Sequence, residues 1–133
     1  MANVRSANTK PEITVRRVAF GLGYRYRLHV RSLPGSPDLV FPRKKKVIFV
    51  HGCFWHRHDG CSHTTFPKTR ADYWNAKFSA NVARDAAQAT ELQERGWSAL
   101  TIWECETCDL SVLRRMISHF LSDDAASAEP SPN

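Results

Sequence analysis

A chain of 133 residues is long enough for one domain with a modest buried core and too short for two ordinary ones. Its 42% hydrophobic and 24% charged residues are typical of a globular protein, and no apolar run approaches the ~20 residues of a membrane span. The net charge of +6 favours a polyanionic partner, nucleic acid first and an anionic membrane surface far behind it. The polar N-terminal stretch has no signal-peptide core, so a cytoplasmic location without membrane attachment is expected. In that compartment the four cysteines, interleaved with histidines, read as metal ligands rather than disulfides.

Taken in chain order, residues 1–8 are polar and loose. Thr9-Lys10-Pro11-Glu12 reads as a capping box with proline tolerated in the first turn. Ile13, Val15, Val18, Ala19 and Leu22 then form the buried face of a first helix, and Gly23 stops it. Tyr24 to His29 alternates aromatic or apolar residues with basic ones, the pattern of a strand with one charged face. Leu33-Pro34-Gly35-Ser36-Pro37 is a rigid turn that delivers Asp38 onto a short strand, Leu39-Val40-Phe41. The basic turn Pro42 to Lys45 leads into a strand over Lys46 to Val50, a hairpin that brings Asp38 and His51 into one region.

A long loop, His51 to Lys68, follows. Thr69-Arg70-Ala71-Asp72 opens a second helix that ends near Arg95 with Gly96 as its stop. Trp74, Phe78, Val82, Ala86, Ala89 and Leu92 make its apolar stripe. Trp97 to Glu104 is another strand and Leu110 to Leu121 a last amphipathic helix. Residues 1–121 are expected to form a single domain, and residues 122–133 a disordered tail rich in Asp, Ala, Ser and Pro. There is no internal repeat. The order αβββαβα predicts an α/β domain, a mixed sheet flanked by helices.

The chemistry is concentrated between His51 and Cys61. Cys53, His58 and Cys61 offer three zinc ligands, and Cys105 at the end of the last strand is the preferred fourth, with Cys108 and His63 as rivals. Four protein ligands would make the zinc structural, a staple for a loop too polar to fold by burial alone. His51 and His56 are left for acid–base or phosphate work. Asp38 stands where a carboxylate could hold magnesium against a phosphodiester, although a turn aspartate capping its own backbone has the same sequence signature. Glu12 is already explained by the capping box. Phe54 and Trp55, adjacent in a short loop, can hardly both point into one core, and aromatics presented in this way stack on bases or wedge between them. The basic residues at Arg16-Arg17, Arg25, Arg27, Arg31 and Arg43 to Lys46 are candidate phosphate contacts.

Several motifs, in order, resemble one family. They are Leu33-Pro34-Gly35-Ser36-Pro37-Asp38, Val47 through His56, Tyr73-Trp74, Lys77, Asn81-Val82, Arg84-Asp85, Gly96-Trp97 and Trp103-Glu104-Cys105. Across about Thr9 to Glu104 the chain resembles the very-short-patch repair (Vsr) DNA mismatch endonucleases. That resemblance implies a restriction-endonuclease-like core with one structural zinc. It also implies a magnesium-dependent enzyme that nicks double-stranded DNA 5′ of the thymine in a T:G mismatch and starts very short patch repair; separately, a monomer is expected. Repair proteins are candidate partners.

By position, the resemblance implies that Asp38 holds magnesium with help from the Val50 carbonyl and that His51 contacts the reacting phosphate. His56, oriented by Glu12, would activate the attacking water, and Asp85 would support the site with Asn81 beside it. Cys53, His58, Cys61 and Cys105 would bind zinc, while Phe54, Trp55 and Trp74 would wedge into the duplex. The family often has threonine at the place of Val50, and Gly60 reads as an insertion in the zinc loop.

Overall fold

The computed structural model describes residues 9–53, 57–58, 61 and 68–122. Its elements are α1 (Lys10–Gly21), β1 (Arg27–Leu28), β2 (Leu39–Phe41), β3 (Lys46–His51), α2 (Ala71–Glu94), β4 (Ser98–Trp103), a short 3-10 helix η1 (Glu104–Cys108) and α3 (Leu110–Leu121). The strands form one sheet in the order β1-β2-β3-β4. The first three pair antiparallel, and β4 joins β3 in parallel. The expected mixed sheet flanked by helices is what the chain forms.

α1 starts where the side chain of Thr9 accepts the Glu12 amide, at 3.4 Å. It ends at Leu22, followed by Gly23 at φ +97°, a conformation that glycine takes without strain. Val15 and Ala19, four apart, are fully buried on its inner side. α3 begins at Asp109, whose carboxylate accepts the amides of Ser111 and Val112. Its Leu113, Ile117 and Leu121 repeat the four-residue spacing and are fully buried. These two helices cover one face of the sheet with Leu39, Phe41, Ile48 and Ile102. The opposite face carries Val40, Val47 and Phe49, on which Leu92 of α2 packs. Strand alternation thus divides the core into two layers about one sheet.

Lys46 is nearly buried at the start of β3, yet its ammonium reaches the Phe120 carbonyl at 2.6 Å. That carbonyl belongs to the last turn of α3, where the helix dipole favours a cation.

Three local expectations are corrected. The strand expected over Tyr24 to His29 shrinks to Arg27 and Leu28, because His29 adopts φ +49° and leaves the extended region. Thr69 does not cap α2: the cap position is Arg70, at φ +55° and without a side-chain cap bond. The apolar stripe of α2 is buried only at Phe78 and Leu92, while Val82, Ala86 and Ala89 are exposed. The exposed positions lie between the two buried ones and line an open cleft with Phe49, Ala99 and Thr101, so the middle of α2 stands off the sheet.

Where α2 leaves the sheet it opens a cleft of about 700 Å³ against β3 and β4. Among the described residues no helix is long and apolar enough to cross a membrane. The tail from residue 123 onward lies outside the described residues.

Candidate active site and metal centre

Two groups of metal-type side chains stand near the C-terminal ends of the strands. The first is Cys53, His58, Cys61 and Cys105, whose ligand atoms all lie within 4.8 Å of one another. His58 Nδ1 is 3.6 Å from Cys53 Sγ and 3.5 Å from Cys105 Sγ. Bonds of the usual zinc–sulfur and zinc–nitrogen lengths at a tetrahedral angle separate such atoms by about 3.5 Å. The quartet therefore fits a tetrahedral zinc ion. Cys105, rather than the exposed Cys108, joins the group, and Gly60 does not keep Cys61 from His58. Burial and the neighbouring sulfurs push the Cys105 thiol up to about 12. A divalent cation would reverse that balance and hold the sulfurs as thiolates.

This cluster is locked to the sheet. The Cys53 amide donates to Glu104 Oε1 at 3.3 Å, tying the loop after β3 to the residue after β4. The His58 ring stacks on Trp103 with centroids 4.2 Å apart and planes 5° from parallel. Trp103 in turn meets the edge of His51 at 5.3 Å. A continuous ring contact thus joins the zinc-type quartet to His51.

The second group is Glu12, His29 and Asp38, again with ligand atoms within 4.8 Å. Glu12 is buried in α1, and its carboxylate accepts from Arg16 Nη2 at 3.3 Å. The Thr9 hydroxyl makes its half of the capping box, but the Glu12 carboxylate faces this inner cluster. Asp38 precedes β2, and its Oδ2 accepts the Val50 amide at 2.7 Å. That bond explains why the turn delivers Asp38 at this point. An N–H and the C=O of the same strand residue point to the same neighbour, so the Val50 carbonyl also faces the Asp38 side.

Burial raises the Asp38 carboxyl to about 7, against the lowering by the Val50 hydrogen bond and with a further rise from Glu12. Two carboxylates in a desolvated corner, with a carbonyl beside them, are an oxygen donor set that suits a hard divalent cation.

His51 begins one residue beyond the Val50 amide. Alternation turns its ring to the α2 side, where it lines the cleft together with Asp85. Trp74, in the first turns of α2, is half-buried and stacks with Phe78 at 5.8 Å, while Tyr73 abuts it edge-on at 5.3 Å. The Arg57 guanidinium sits 3.9 Å over the Phe78 ring. Asn81, one turn before Asp85, accepts from Arg84 at 3.0 Å. The expected Phe54, Trp55 and His56, and the rival ligand His63, lie outside the described residues.

Sequence reasoning missed His29. Its place is set by sheet register: β1 pairs with β2 as Leu28 with Leu39, so one step further along His29 stands opposite Asp38. The structure places its Nδ1 3.9 Å from Asp38 Oδ1 and its Nε2 3.7 Å from Glu12 Oε1. The bridging place of Trp103 was also not legible, since it depends on the parallel register that sets His51 beside it.

A family model described as DNA mismatch endonuclease Vsr matches residues 1–62. The chain is 48% identical over 121 residues to Type II nicking enzyme V.XorIIP of Xanthomonas oryzae pv. oryzae, covering 91% of this chain and 88% of that protein. It is 36% identical over 135 residues to DNA mismatch endonuclease Vsr of Escherichia coli, covering 96% of this chain and 86% of that one. In structure it resembles the catalytic domain of homing endonuclease I-Bth0305I, with a TM-score of 0.61. That alignment covers 88% of this chain and 98% of that domain at 22% identity, a likeness of fold alone.

Proposed function

The chain belongs to the Vsr family of DNA mismatch endonucleases, hydrolases of the phosphodiester backbone, and from that premise we propose that it nicks one strand 5′ of the thymine in a T:G mismatch, using magnesium. The observation that carries this reading is the placement of Asp38. Its carboxylate is partly buried beside Glu12, is held by the Val50 amide, and stands next to the strand end that bears His51.

In this reading Asp38 and the Val50 carbonyl hold the magnesium, which would neutralise charge building on the pentavalent phosphorus. His51 donates to the phosphate undergoing attack. His56, oriented by Glu12, takes the proton of the attacking water, a task suited to an imidazole near neutral pKa. Asp85, which shares the cleft with His51, supports that ring. Cys53, His58, Cys61 and Cys105 would hold zinc, and the His58 ring stacked on Trp103 would keep His51 in register. Phe54, Trp55 and Trp74 wedge into the duplex beside the mismatch, and the excess of basic side chains contacts the backbone.

The test is magnesium-dependent cleavage of two labelled duplexes that differ only in carrying T:G or T:A at one site. The expected result is a nick in the thymine strand of the T:G duplex alone. Equal cutting of both would favour the other nuclease reading, a restriction or defence enzyme that acts on matched DNA.

A further inference from the structure

We propose that His29 is a positioning residue for Asp38: its ring, held by Arg16, directs an Nδ1–H at the Asp38 carboxylate and fixes how that carboxylate faces the site. The proposal rests on the reading of Asp38 as the magnesium ligand and adds a residue to it.

Arg16 holds the far side of the His29 ring. Its Nη2 lies 3.3 Å from His29 Nε2, and a guanidinium can only donate. With Nε2 accepting from Arg16 at 3.3 Å, and Glu12 Oε1 farther from it at 3.7 Å, the ring presents its N–H at Nδ1. Nδ1 is the atom that faces Asp38 Oδ1, at 3.9 Å, while the other oxygen, Oδ2, is already held by the Val50 amide. Each oxygen of Asp38 thus has its own directing donor. The 3.9 Å contact is longer than a hydrogen bond, and such contacts commonly tighten only when substrate and metal assemble.

The same proton assignment decides against the other reading of this cluster. By distance alone, Glu12, His29 and Asp38 could share one ion. A ring nitrogen that carries a proton cannot ligate a metal, and the remaining nitrogen is engaged by Arg16. His29 therefore acts through Asp38.

The backbone adds an independent observation. His29 sits at φ +49°, in a region that few residues other than glycine adopt, and this conformation ends β1 where the ring turns in toward Asp38. A backbone outlier beside a catalytic carboxylate is the usual place for a conformation kept for function.

Two substitutions in the full-length chain test this. His29→Gly takes the positive φ without strain and removes the ring. His29→Asn is also tolerated there and restores an amide N–H close to the Nδ1 position. The readout is single-site nicking of the T:G duplex at saturating magnesium, with duplex affinity measured in calcium and melting temperature measured alongside. His29→Gly should lower kcat by about 10–100-fold with KM for the duplex nearly unchanged, while His29→Asn should return to within about threefold of wild type.

A wild-type kcat in His29→Gly would overturn the proposal. So would a His29→Asn protein as slow as His29→Gly, since the imidazole itself would then be required. If His29→Gly melts early, His29→Asn decides alone: a rate near wild type supports the proposal and a tenfold loss in a well-folded protein overturns it. Asp38→Asn in the same assay separates the two levels. If it still cleaves, the magnesium reading of Asp38 has failed, whatever His29 does.

Discussion

Asp38 sits in a partly desolvated corner beside Glu12, and its protonation couples folding to pH. Its raised carboxyl, at about 7, means that the metal-free folded state keeps a proton which the unfolded chain releases near its ordinary value of 3.8. The stability this proton contributes is fully present below the unfolded value and is lost as pH rises through about 7. Zinc-loaded, magnesium-free protein should therefore melt at a lower temperature at about pH 8 than at about pH 6. Magnesium should raise the melting temperature more at the higher pH, because there it meets an ionised carboxylate rather than displacing a proton. Asp38→Asn should flatten this dependence and abolish cleavage together. A pH slope that survives in Asp38→Asn would mean that another group causes it. Asp38 could be singled out in the sequence, because a rigid Pro-Gly-Ser-Pro turn aims it. Its Glu12 and His29 neighbours were not, since they arrive from elements that only the sheet register brings together.

At the scale of elements, β4 links the zinc-type quartet to His51. Parallel pairing puts Trp103 beside His51, and the His58 ring stacks on the same indole. Trp103→Leu removes both ring contacts and should lower stability by about 1–3 kcal/mol, read from the denaturant midpoint at saturating zinc. It should also slow nicking, since His51 loses its lateral support. An unchanged midpoint together with an unchanged rate would show that the ring contacts carry nothing.

Legibility differed among elements for physical reasons. α1, α3 and the β2–β3 hairpin could be read directly, because caps, four-residue apolar spacing and a basic turn are local signals. The stripe on α2 misled, because periodicity reports which side of a helix is apolar but not how much of its length meets a partner. β1 was read too long, because the alternation of Tyr24 to His29 continues through a residue whose backbone leaves the strand.

For the whole molecule, the three-layer arrangement places the carboxylate cluster and the zinc-type quartet at one end of the sheet, joined by short links: the Val50 amide, Glu104 and Trp103. The proposed function assigns zinc to architecture and magnesium to chemistry. A chelator selective for zinc should release one zinc ion per chain, abolish nicking and lower the melting temperature. Restored zinc should return activity, whereas magnesium alone should not. Retention of full activity in zinc-free protein would contradict this division of labour.

The measurement that tests the central claim most directly maps the nick itself. Duplexes labelled in turn on each strand, with T:G, T:A or C:G at one position, are incubated with protein and magnesium, and the termini are sized to the nucleotide. The account predicts one nick, on the thymine strand immediately 5′ of the mismatched base, absent from the matched duplexes and absent with Asp38→Asn. Cleavage of matched duplexes at the same rate, or cleavage that persists in Asp38→Asn, would contradict it.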